Sequence, residues 1–164
     1  MRHIPIKSWQ NPSKEIEMAD RIVAASDHAG LTLRAEAVRV AREKGFEVED
    51  LGPISGESVD YPDYARLVGE AVAAGRARFG LLVCGTGIGM CIAANKVRGV
   101  RAAHCGGELE ARMARAHNDA NVLCLGERIL GLSLGAAVVN AFLDQPFEGG
   151  RHQARVAKIR AMEK

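Results

Sequence analysis

Short apolar runs alternate with longer segments in which apolar residues recur at helical spacing along most of this chain. The short runs have the length and composition of buried strands, and they cover residues 21–26, 46–51, 79–83, 100–104 and 121–125. The longer segments predict helices over 31–44, from 61 to about 75, from the glycines after residue 84, and over 108–116, 132–143 and 148–162. Strands that alternate with helices predict a three-layer, Rossmann-like α/β fold, in which an open parallel sheet of about five strands has helices on both faces.

The first predicted helix has a clear apolar face. Its spacing places Leu31, Ala35 and Val38, together with either Ala37 or Ala41, on the side expected to face the sheet. The charged residues between them are expected to face solvent.

Length and composition fit one compact domain. The chain has 164 residues, of which 48% are hydrophobic, and we assign residues 20–164 to a single domain preceded by an extension at 1–19. A net charge of +2 with scattered basic residues argues against a nucleic-acid-binding surface. No apolar segment reaches membrane-spanning length, no signal peptide is visible, and the four cysteines lack C-x-x-C spacing. These features predict a reduced, cytoplasmic protein.

Residues 79–96 contain the densest candidate chemistry. A strand-like run stops at Cys84, and Gly85, Gly87 and Gly89 then let the backbone turn sharply into a helix. This order places Cys84 at the carboxyl edge of the predicted sheet, where α/β proteins bind ligands. The backbone amides of the loop, which open a helix, form a site for negative charge.

The established phosphate-binding motifs do not match this loop. A dinucleotide fingerprint G-x-G-x-x-G counted from Gly85 would require glycine at Met90, and a cysteine phosphatase loop would require arginine at the same position. The Gly-Lys-Ser/Thr of a Walker loop is absent. What remains is a thiol beside amide donors, which suits removal of a proton from carbon with stabilisation of the adjacent oxyanion.

Five separated motifs narrow the function further. They are Asp27-His28, Tyr61-Pro-Asp-Tyr64, Cys84-Gly-Thr-Gly-Ile-Gly89 with Ala93-Ala-Asn-Lys96, His117-Asn-Asp119 and Glu148-Gly-Gly-Arg-His-Gln-Ala-Arg155. Together they resemble the type B ribose-5-phosphate isomerases of the ribose/galactose phosphate isomerase superfamily, from about Arg21 to the C-terminus and in the family's order. The resemblance implies interconversion of D-ribose 5-phosphate and D-ribulose 5-phosphate by proton transfer between C1 and C2 through an enediolate, without a metal or an organic cofactor.

Other functions stay open at this point. The superfamily also includes isomerases of other sugar phosphates, so allose 6-phosphate, galactose 6-phosphate and a tetrose phosphate are alternative substrates. Residues 52–62 and the helix after Cys105 are expected to shape the pocket, and Cys105-Gly-Gly107 departs from the family. A non-catalytic nucleotide-binding module would use the same glycine turn, and a redox protein would use the thiols. The nucleotide-binding module does not explain why Cys84, His117 and an arginine pair occur in one chain, and the missing C-x-x-C spacing argues against the redox protein.

By this resemblance Cys84 is the base that removes the C2 proton, and the Thr86 hydroxyl helps to stabilise the enediolate. The other loop residues expected to contact the substrate are Gly85, Gly87, Ile88 and Gly89. From position alone, Cys84 is equally consistent with a buried structural cysteine, and the loop with a helix-packing turn. Cys91, seven residues further along the chain, is expected to belong to the core.

The resemblance also assigns roles to four polar residues. His117 is expected to open the sugar ring by donating a proton to the ring oxygen, because imidazole titrates in the useful range. Asn118 would donate a hydrogen bond to sugar hydroxyls or to the enediolate, and Asp27 and His28 would contact the ring oxygen, hydroxyls or phosphate. From the residues alone, His117 could instead satisfy the last carbonyls of its helix, and Asp27 could cap the helix that follows it.

Three arginines are candidates for binding the phosphate: Arg128, Arg151 and Arg155. The last two are spaced i,i+4, so one helix face presents both guanidinium groups. A solvated basic face is the alternative interpretation of this pair. The family forms dimers, sometimes dimers of dimers, with the terminal helix reaching the partner. This implies a homodimer in which each site combines Cys84 of one chain with arginines of the other.

Overall fold

The computed structural model describes residues 21–163, and the extension predicted at 1–19 lies outside them. The strands of this part of the chain are β1 Arg21–Ser26, β2 Glu47–Asp50, β3 Phe79–Cys84, β4 Ala102–His104 and β5 Val122–Gly126. Its helices are α1 Leu31–Glu43, α2 Tyr61–Ala73, α3 Ile88–Ala94, α4 Glu108–Asn118, α5 Leu132–Asp144 and α6 Arg151–Arg160. Every predicted element is present, although several are shorter than predicted.

The strands form one parallel sheet in the order β2-β1-β3-β5-β4. This confirms the predicted open parallel sheet. The direction of strand addition reverses between β1 and β3, because the chain continues to β2 on one side of β1 and to β3 on the other. Ser26 pairs with Val83, so these two neighbouring strands end at the same level. A crevice opens at the carboxyl ends of such a strand pair, and ligands of open α/β sheets bind there.

Alternate side chains of the central strands enter two separate apolar layers. Val83 belongs to the layer formed with α1, α4 and α5, whereas Leu82 and Cys84 belong to the layer formed with α2 and α3. In the first layer, the rings of Phe79 and Phe142 meet edge to face with their centroids 5.5 Å apart. The helices therefore cover both faces of the sheet, as predicted, and Cys84 belongs to the α2–α3 side.

The inner face of α1 differs from the prediction. Ala35 is exposed and Leu31 is only half-buried, although Val38 is buried as predicted. The buried residues of this helix are Leu33, Arg34, Ala37, Val38, Val40 and Ala41. Arg34 takes a core-facing position because its guanidinium donates to the Ser26 hydroxyl at 2.8 Å and to a backbone carbonyl at 2.9 Å. A hydrophobic pattern cannot assign a charged residue to the inner face, so the predicted face was wrong at two positions.

Helix α6 begins later than predicted and is mostly exposed. It starts at Arg151 because Gly149 and Gly150 take positive φ angles of 65° and 54°, a region that favours glycine. Only His152 and Val156 of this helix are buried. The rest of the helix presents its side chains to the surface of the chain.

No helix among the residues described is long and apolar enough to cross a membrane. The four cysteines are free thiols. Cys105 and Cys124 are buried, and Cys91 is half-buried and packs against the apolar layer of α2 and α3, in agreement with its expected place. Its sulfur lies 3.4 Å from the carbonyl oxygen of Ala102.

Candidate active site

A pocket of about 300 Å³ lies at the carboxyl ends of β1 and β3. Its lining residues are Asp27, His28, Ala29, Tyr61, Cys84, Gly85, Thr86, Gly89 and Arg128. Seven of the residues predicted for the site are therefore together in one crevice of a single chain. This crevice occupies the point where the strand order reverses, which is where the topology predicts a ligand.

Cys84 is the last residue of β3 and is 5% exposed. Its sulfur accepts a hydrogen bond from the backbone N–H of Gly87 at 3.1 Å. Gly87 has a φ of +79°, and a Cβ at this position would lie 2.6 Å from the ring of His104 and 2.8 Å from the backbone of Leu125. Only glycine fits this turn, and the turn directs a donor at the sulfur. A hydrogen-bond donor in this position stabilises negative charge on the sulfur.

The loop that follows Cys84 is held against the end of β5. The backbone N–H of Glu127 donates to the Cys84 carbonyl at 2.9 Å, and that of Arg128 donates to the Gly85 carbonyl at 3.0 Å. A Cβ on Gly126 would lie 2.6 Å from the backbone carbonyl of Thr86, so the two segments are in direct backbone contact. This contact fixes the position of the Cys84 loop relative to the sheet.

The side chains of Thr86 and Arg128 are exposed at the mouth of the pocket. The Thr86 hydroxyl accepts a hydrogen bond from the Ile88 N–H at 3.4 Å, so its own hydrogen can be donated to a ligand. The guanidinium of Arg128 lies over Gly85, where a Cβ would be 3.3 Å from its central carbon. Because Gly85 has no side chain, the positively charged guanidinium of Arg128 can lie at the edge of the pocket.

Asp27 is buried directly after β1. Its Oδ1 accepts a hydrogen bond from the Ala29 N–H at 2.9 Å, and its backbone N–H donates to the Val83 carbonyl at 3.1 Å. The residue at the N-cap of α1 is Gly30, and no side-chain hydrogen bond caps that helix. Asp27 thus shapes the turn after β1 rather than capping the next helix, and it lines the pocket.

His28 is held by the loop that precedes α2. Its Nδ1 accepts a hydrogen bond from the Val59 N–H at 3.2 Å. Because Nδ1 is an acceptor here, the neutral ring carries its proton on Nε2. His28 is therefore oriented as a donor through Nε2, which suits an anionic or hydroxyl oxygen.

Tyr61 lines the pocket although it was not among the predicted site residues. It is the first residue of α2, and a Cβ on Gly89 would lie 2.8 Å from its ring. Two signals pointed to it: Tyr61 belongs to the 52–62 segment that was expected to shape the pocket, and to the Tyr61-Pro-Asp-Tyr64 motif that carried the family resemblance. Gly89 lets the aromatic ring pack against the start of α3.

Gly87 and Ile88 belong to the Cys84 loop at the start of α3, but they do not line the pocket. The other four predicted residues form a second group, apart from this pocket within the described chain. His117 and Asn118 are at the end of α4, and Arg151 and Arg155 are on α6. The rings of His117 and His152 stack at 4.1 Å with an interplanar angle of 6°. Asn118 lines a separate cavity of about 510 Å³ between α4, β4 and the end of the chain.

His117 of this second group and two neighbouring side chains are close enough together for a metal site to be considered. Ligand atoms of His117, Glu148 and His152 all lie within 4.8 Å of one another. The two imidazoles are parallel, however, so their in-plane lone pairs run side by side and do not converge on one ion about 2 Å from each nitrogen. The arrangement suits ring stacking rather than metal coordination.

Comparison with known proteins gives consistent matches. The family model described as Ribose/Galactose Isomerase matches residues 22–159. Ribose-5-phosphate isomerase B of Escherichia coli (strain K12) is 48% identical over 143 residues, which cover 87% of this chain and 96% of that protein. The solved ribose-5-phosphate isomerase B of Clostridium thermocellum has a TM-score of 0.85 at 49% identity, covering 87% of this chain and 97% of that one.

A second solved structure carries a ligand. Ribose-5-phosphate isomerase B of Mycoplasma genitalium, with bound ribulose-5-phosphate, has a TM-score of 0.84 at 47% identity, covering 87% of this chain and 95% of that one. These matches extend over nearly the whole length of the relatives and over most of the described fold. They confirm the resemblance drawn from the five motifs, and the chain belongs to the ribose/galactose isomerase family.

Proposed function

We propose that this protein is an aldose–ketose isomerase that interconverts D-ribose 5-phosphate and D-ribulose 5-phosphate through an enediolate. The observation that carries the proposal is the sulfur of Cys84, which lies at the switch point of the sheet with an amide donor directed at it. Family membership supports the reaction type, and the relatives named ribose-5-phosphate isomerase B support the substrate. A nucleotide-binding module gives no role to this thiol, and the absent C-x-x-C spacing argues against a redox protein.

Cys84 acts as the base in the proposed reaction. Its thiolate removes the proton from C2 of the open-chain aldose, the C–H electron pair forms the C1–C2 double bond, and negative charge develops on O1. The Thr86 hydroxyl and the amides of residues 85–89 stabilise this enediolate, because preorganised donors act most strongly where charge develops. The thiol then returns a proton to C1, and the proton of O2 is transferred to O1, so that O1 becomes the C1 hydroxyl and O2 becomes the ketose carbonyl.

The ring form of the aldose must open before this step. We assign ring opening to His117, which donates a proton to the ring oxygen while a water molecule accepts the proton of the anomeric O–H. Asn118 is its neighbour and is assigned to the sugar hydroxyls or the enediolate. Asp27 and the Nε2 of His28 are assigned to the sugar oxygens or the phosphate from the β1 side of the pocket.

In a homodimer with shared active sites, the pocket of one chain and the second group of residues from the other chain form one site. The pocket of one chain holds Cys84 and Arg128, whereas His117, Arg151 and Arg155 lie apart from it in the same chain. Helix α6 is mostly exposed and so is available to reach a partner's pocket. Two arginines spaced i,i+4 then meet the phosphate next to Arg128, and their paired donors match its oxygens.

Four free thiols suit the reducing environment of the cytoplasm, to which we assign the protein.

Which sugar phosphate the enzyme prefers, among the ribose, allose, galactose and tetrose phosphates, depends on the space in the pocket beyond the reacting carbons. Turnover across a panel of four-, five- and six-carbon aldose phosphates measures that choice. We expect the highest kcat/KM with ribose 5-phosphate.

Deuterium incorporation tests the reaction itself. Incubation with ribose 5-phosphate in D₂O should produce ribulose 5-phosphate and label C2 of the remaining aldose, since the base exchanges its proton with solvent. A Cys84→Ala variant should lose both signals, whereas Cys91→Ser, outside the pocket, should keep them. Absence of product and label with the parent protein for every sugar in the panel would overturn the proposal.

A further inference from the structure

His152 is a buried histidine that the proposed mechanism does not use. It lies on the exposed helix α6, yet it is only 5% exposed. Its ring stacks face to face on His117, with 4.1 Å between centroids and 6° between ring planes. His152 is therefore a buried polar ring in direct contact with the residue to which we assign acid–base chemistry, so we consider how it affects that residue.

The protonation state of His152 follows from its surroundings. The Nε of Arg151 donates to Nε2 of His152 at 3.4 Å, so Nε2 is an acceptor and the neutral ring carries its proton on Nδ1. Burial lowers the pKa of His152, and the nearby His117, Arg151 and Arg155 lower it further, against the opposing effect of Glu148. The ring next to His117 is therefore an uncharged, flat surface at neutral pH.

Glu148 connects the two histidines. Its Oε2 lies 3.8 Å from Nε2 of His117 and 3.7 Å from Nε2 of His152. Its backbone N–H donates to the Ala116 carbonyl at 3.0 Å, which ties the segment before α6 to the end of α4. The carboxylate lies close enough to stabilise positive charge on His117, while the stacked ring limits rotation of that side chain.

We propose that His152 is a positioning residue, whose stacked ring holds the His117 imidazole at the angle required to transfer a proton to and from the sugar ring oxygen. This inference rests on the proposed function. His152 itself does not exchange a proton with the substrate. Its contribution is to reduce the number of orientations of His117 before the sugar binds, as catalysis by prior orientation requires.

The chemistry of the two sugars offers a direct test. Ribose 5-phosphate is mainly a closed furanose and must be opened before isomerisation. Ribulose 5-phosphate cannot close the corresponding ring, because its O5 carries the phosphate. Deuterium exchange at C1 of ribulose 5-phosphate in D₂O therefore needs Cys84 but not ring opening. Substitution of a residue that acts through His117 should therefore slow isomerisation of ribose 5-phosphate but leave C1 exchange of ribulose 5-phosphate unchanged.

We expect His152→Ala to lower kcat for ribose 5-phosphate by about tenfold, in line with loss of a well-packed aromatic contact. The rate of C1 exchange with ribulose 5-phosphate should stay within about twofold of the parent. His152→Phe keeps a flat ring and should recover most of the lost kcat. Lys158→Ala, an exposed change on the same helix, should leave both reactions unchanged.

A double-variant cycle separates positioning from a general effect on folding. His117→Ala should show the same split between the two reactions, and adding His152→Ala to it should cause no further loss, because both changes remove one function. The inference is overturned if His152→Ala lowers both reactions in proportion, lowers neither, or adds its full effect to His117→Ala. A parent protein that neither isomerises nor exchanges would overturn the proposed function and this inference with it, and the assay of the parent reveals that case first.

Discussion

The backbone N–H of Gly87 donates a hydrogen bond to the sulfur of Cys84 at 3.1 Å. The two residues are only three positions apart, so the chain must turn back on itself to make this contact. The left-handed φ of Gly87 produces the turn, and the nearby Leu125 backbone leaves no room for a side chain. The local conformation after β3 therefore directs a donor at the thiol before any substrate arrives.

Replacement of this sulfur should separate catalysis from binding. Cys84→Ser keeps the approximate size of the side chain and its ability to accept a hydrogen bond, but it replaces the thiol with a hydroxyl, which is a much weaker acid. We expect kcat for ribose 5-phosphate to fall by about 10²–10⁴-fold, with KM nearly unchanged, since general base catalysis contributes in this range. Steady-state kinetics and C2 deuterium exchange measure both effects. A serine variant that turns over substrate at the parent rate would remove Cys84 from the role of base.

The backbone contact between β5 and the Cys84 loop should be sensitive to a single methyl group. Gly126→Ala places a Cβ 2.6 Å from the Thr86 carbonyl, so the loop or the strand must shift. We expect the free energy of unfolding to fall by about 1–3 kcal/mol, as for other overpacked sites, and kcat to fall with it. Denaturant unfolding and steady-state kinetics check the two expectations.

Gly131→Ala is the matched control for that change. A Cβ at Gly131 meets nothing within 4 Å, and its φ of −70° suits alanine. This variant should keep the parent rate and lose less than about 1 kcal/mol of stability, the cost of alanine in place of glycine at the N-cap of α5. Equal losses for Gly126→Ala and Gly131→Ala would show that the loop contact has no special importance.

The hydrophobic pattern predicted the central strands and helices because each needs only local periodicity. It also predicted that Asp27 and Cys84 lie at one edge, since both follow strands that run in parallel. The order of the strands was not predicted, because side-chain alternation defines the buried faces of a strand and not its neighbours. The position of the crevice between β1 and β3 therefore became visible only in the structure.

Two features of the site depend on contacts between distant segments. The backbone N–H of Val59, 31 positions further along the chain, sets the tautomer of His28. Because every residue except proline has a backbone N–H, the sequence does not show which one will bind a given side chain. The stack of His117 on His152 joins α4 to α6, and helical spacing within either segment gives no sign of it. The inner face of α1 was misassigned for a related reason, since Arg34 is buried through its long-range hydrogen bonds.

A homodimer with shared sites predicts complementation between two impaired variants. Cys84→Ala and Arg155→Ala should each have low activity alone. In a mixed dimer, one site carries both changes and the other carries neither. Equal mixing by co-expression should therefore restore about a quarter of the parent activity, because half of the dimers are mixed and each has one intact site.

The matched control for complementation pairs two residues of the same pocket. Cys84→Ala and His28→Ala both alter the pocket of their own chain, so no mixed dimer contains an intact site. This mixture should recover no activity. Failure of the first mixture to exceed the second would contradict the sharing of sites between chains.

Three of the four thiols should differ sharply in reactivity. A hydrogen bond with the Cys124 thiol is the main influence that lowers the pKa of Cys91 to about 7, whereas burial raises the pKa of Cys105 to about 12 and that of Cys124 well above its ordinary value. Alkylation by iodoacetamide requires the thiolate. We expect the rate at Cys91 to rise with a midpoint near pH 7, with Cys105 and Cys124 unmodified, as peptide mass spectrometry would measure.

The same lowered pKa predicts a pH dependence of stability. The thiol of Cys91 ionises at a lower pH in the folded chain than its ordinary pKa of 9.0, so the folded state binds fewer protons than the unfolded state between about pH 7 and 9. Its contribution to stability is complete above pH 9 and is lost as the pH falls through about 7. The parent should therefore gain stability relative to Cys91→Ser as the pH rises through this window, which unfolding in denaturant at a series of pH values measures. A constant difference between the two proteins from pH 6 to 9 would show that Cys91 ionises alike in the folded and unfolded chains.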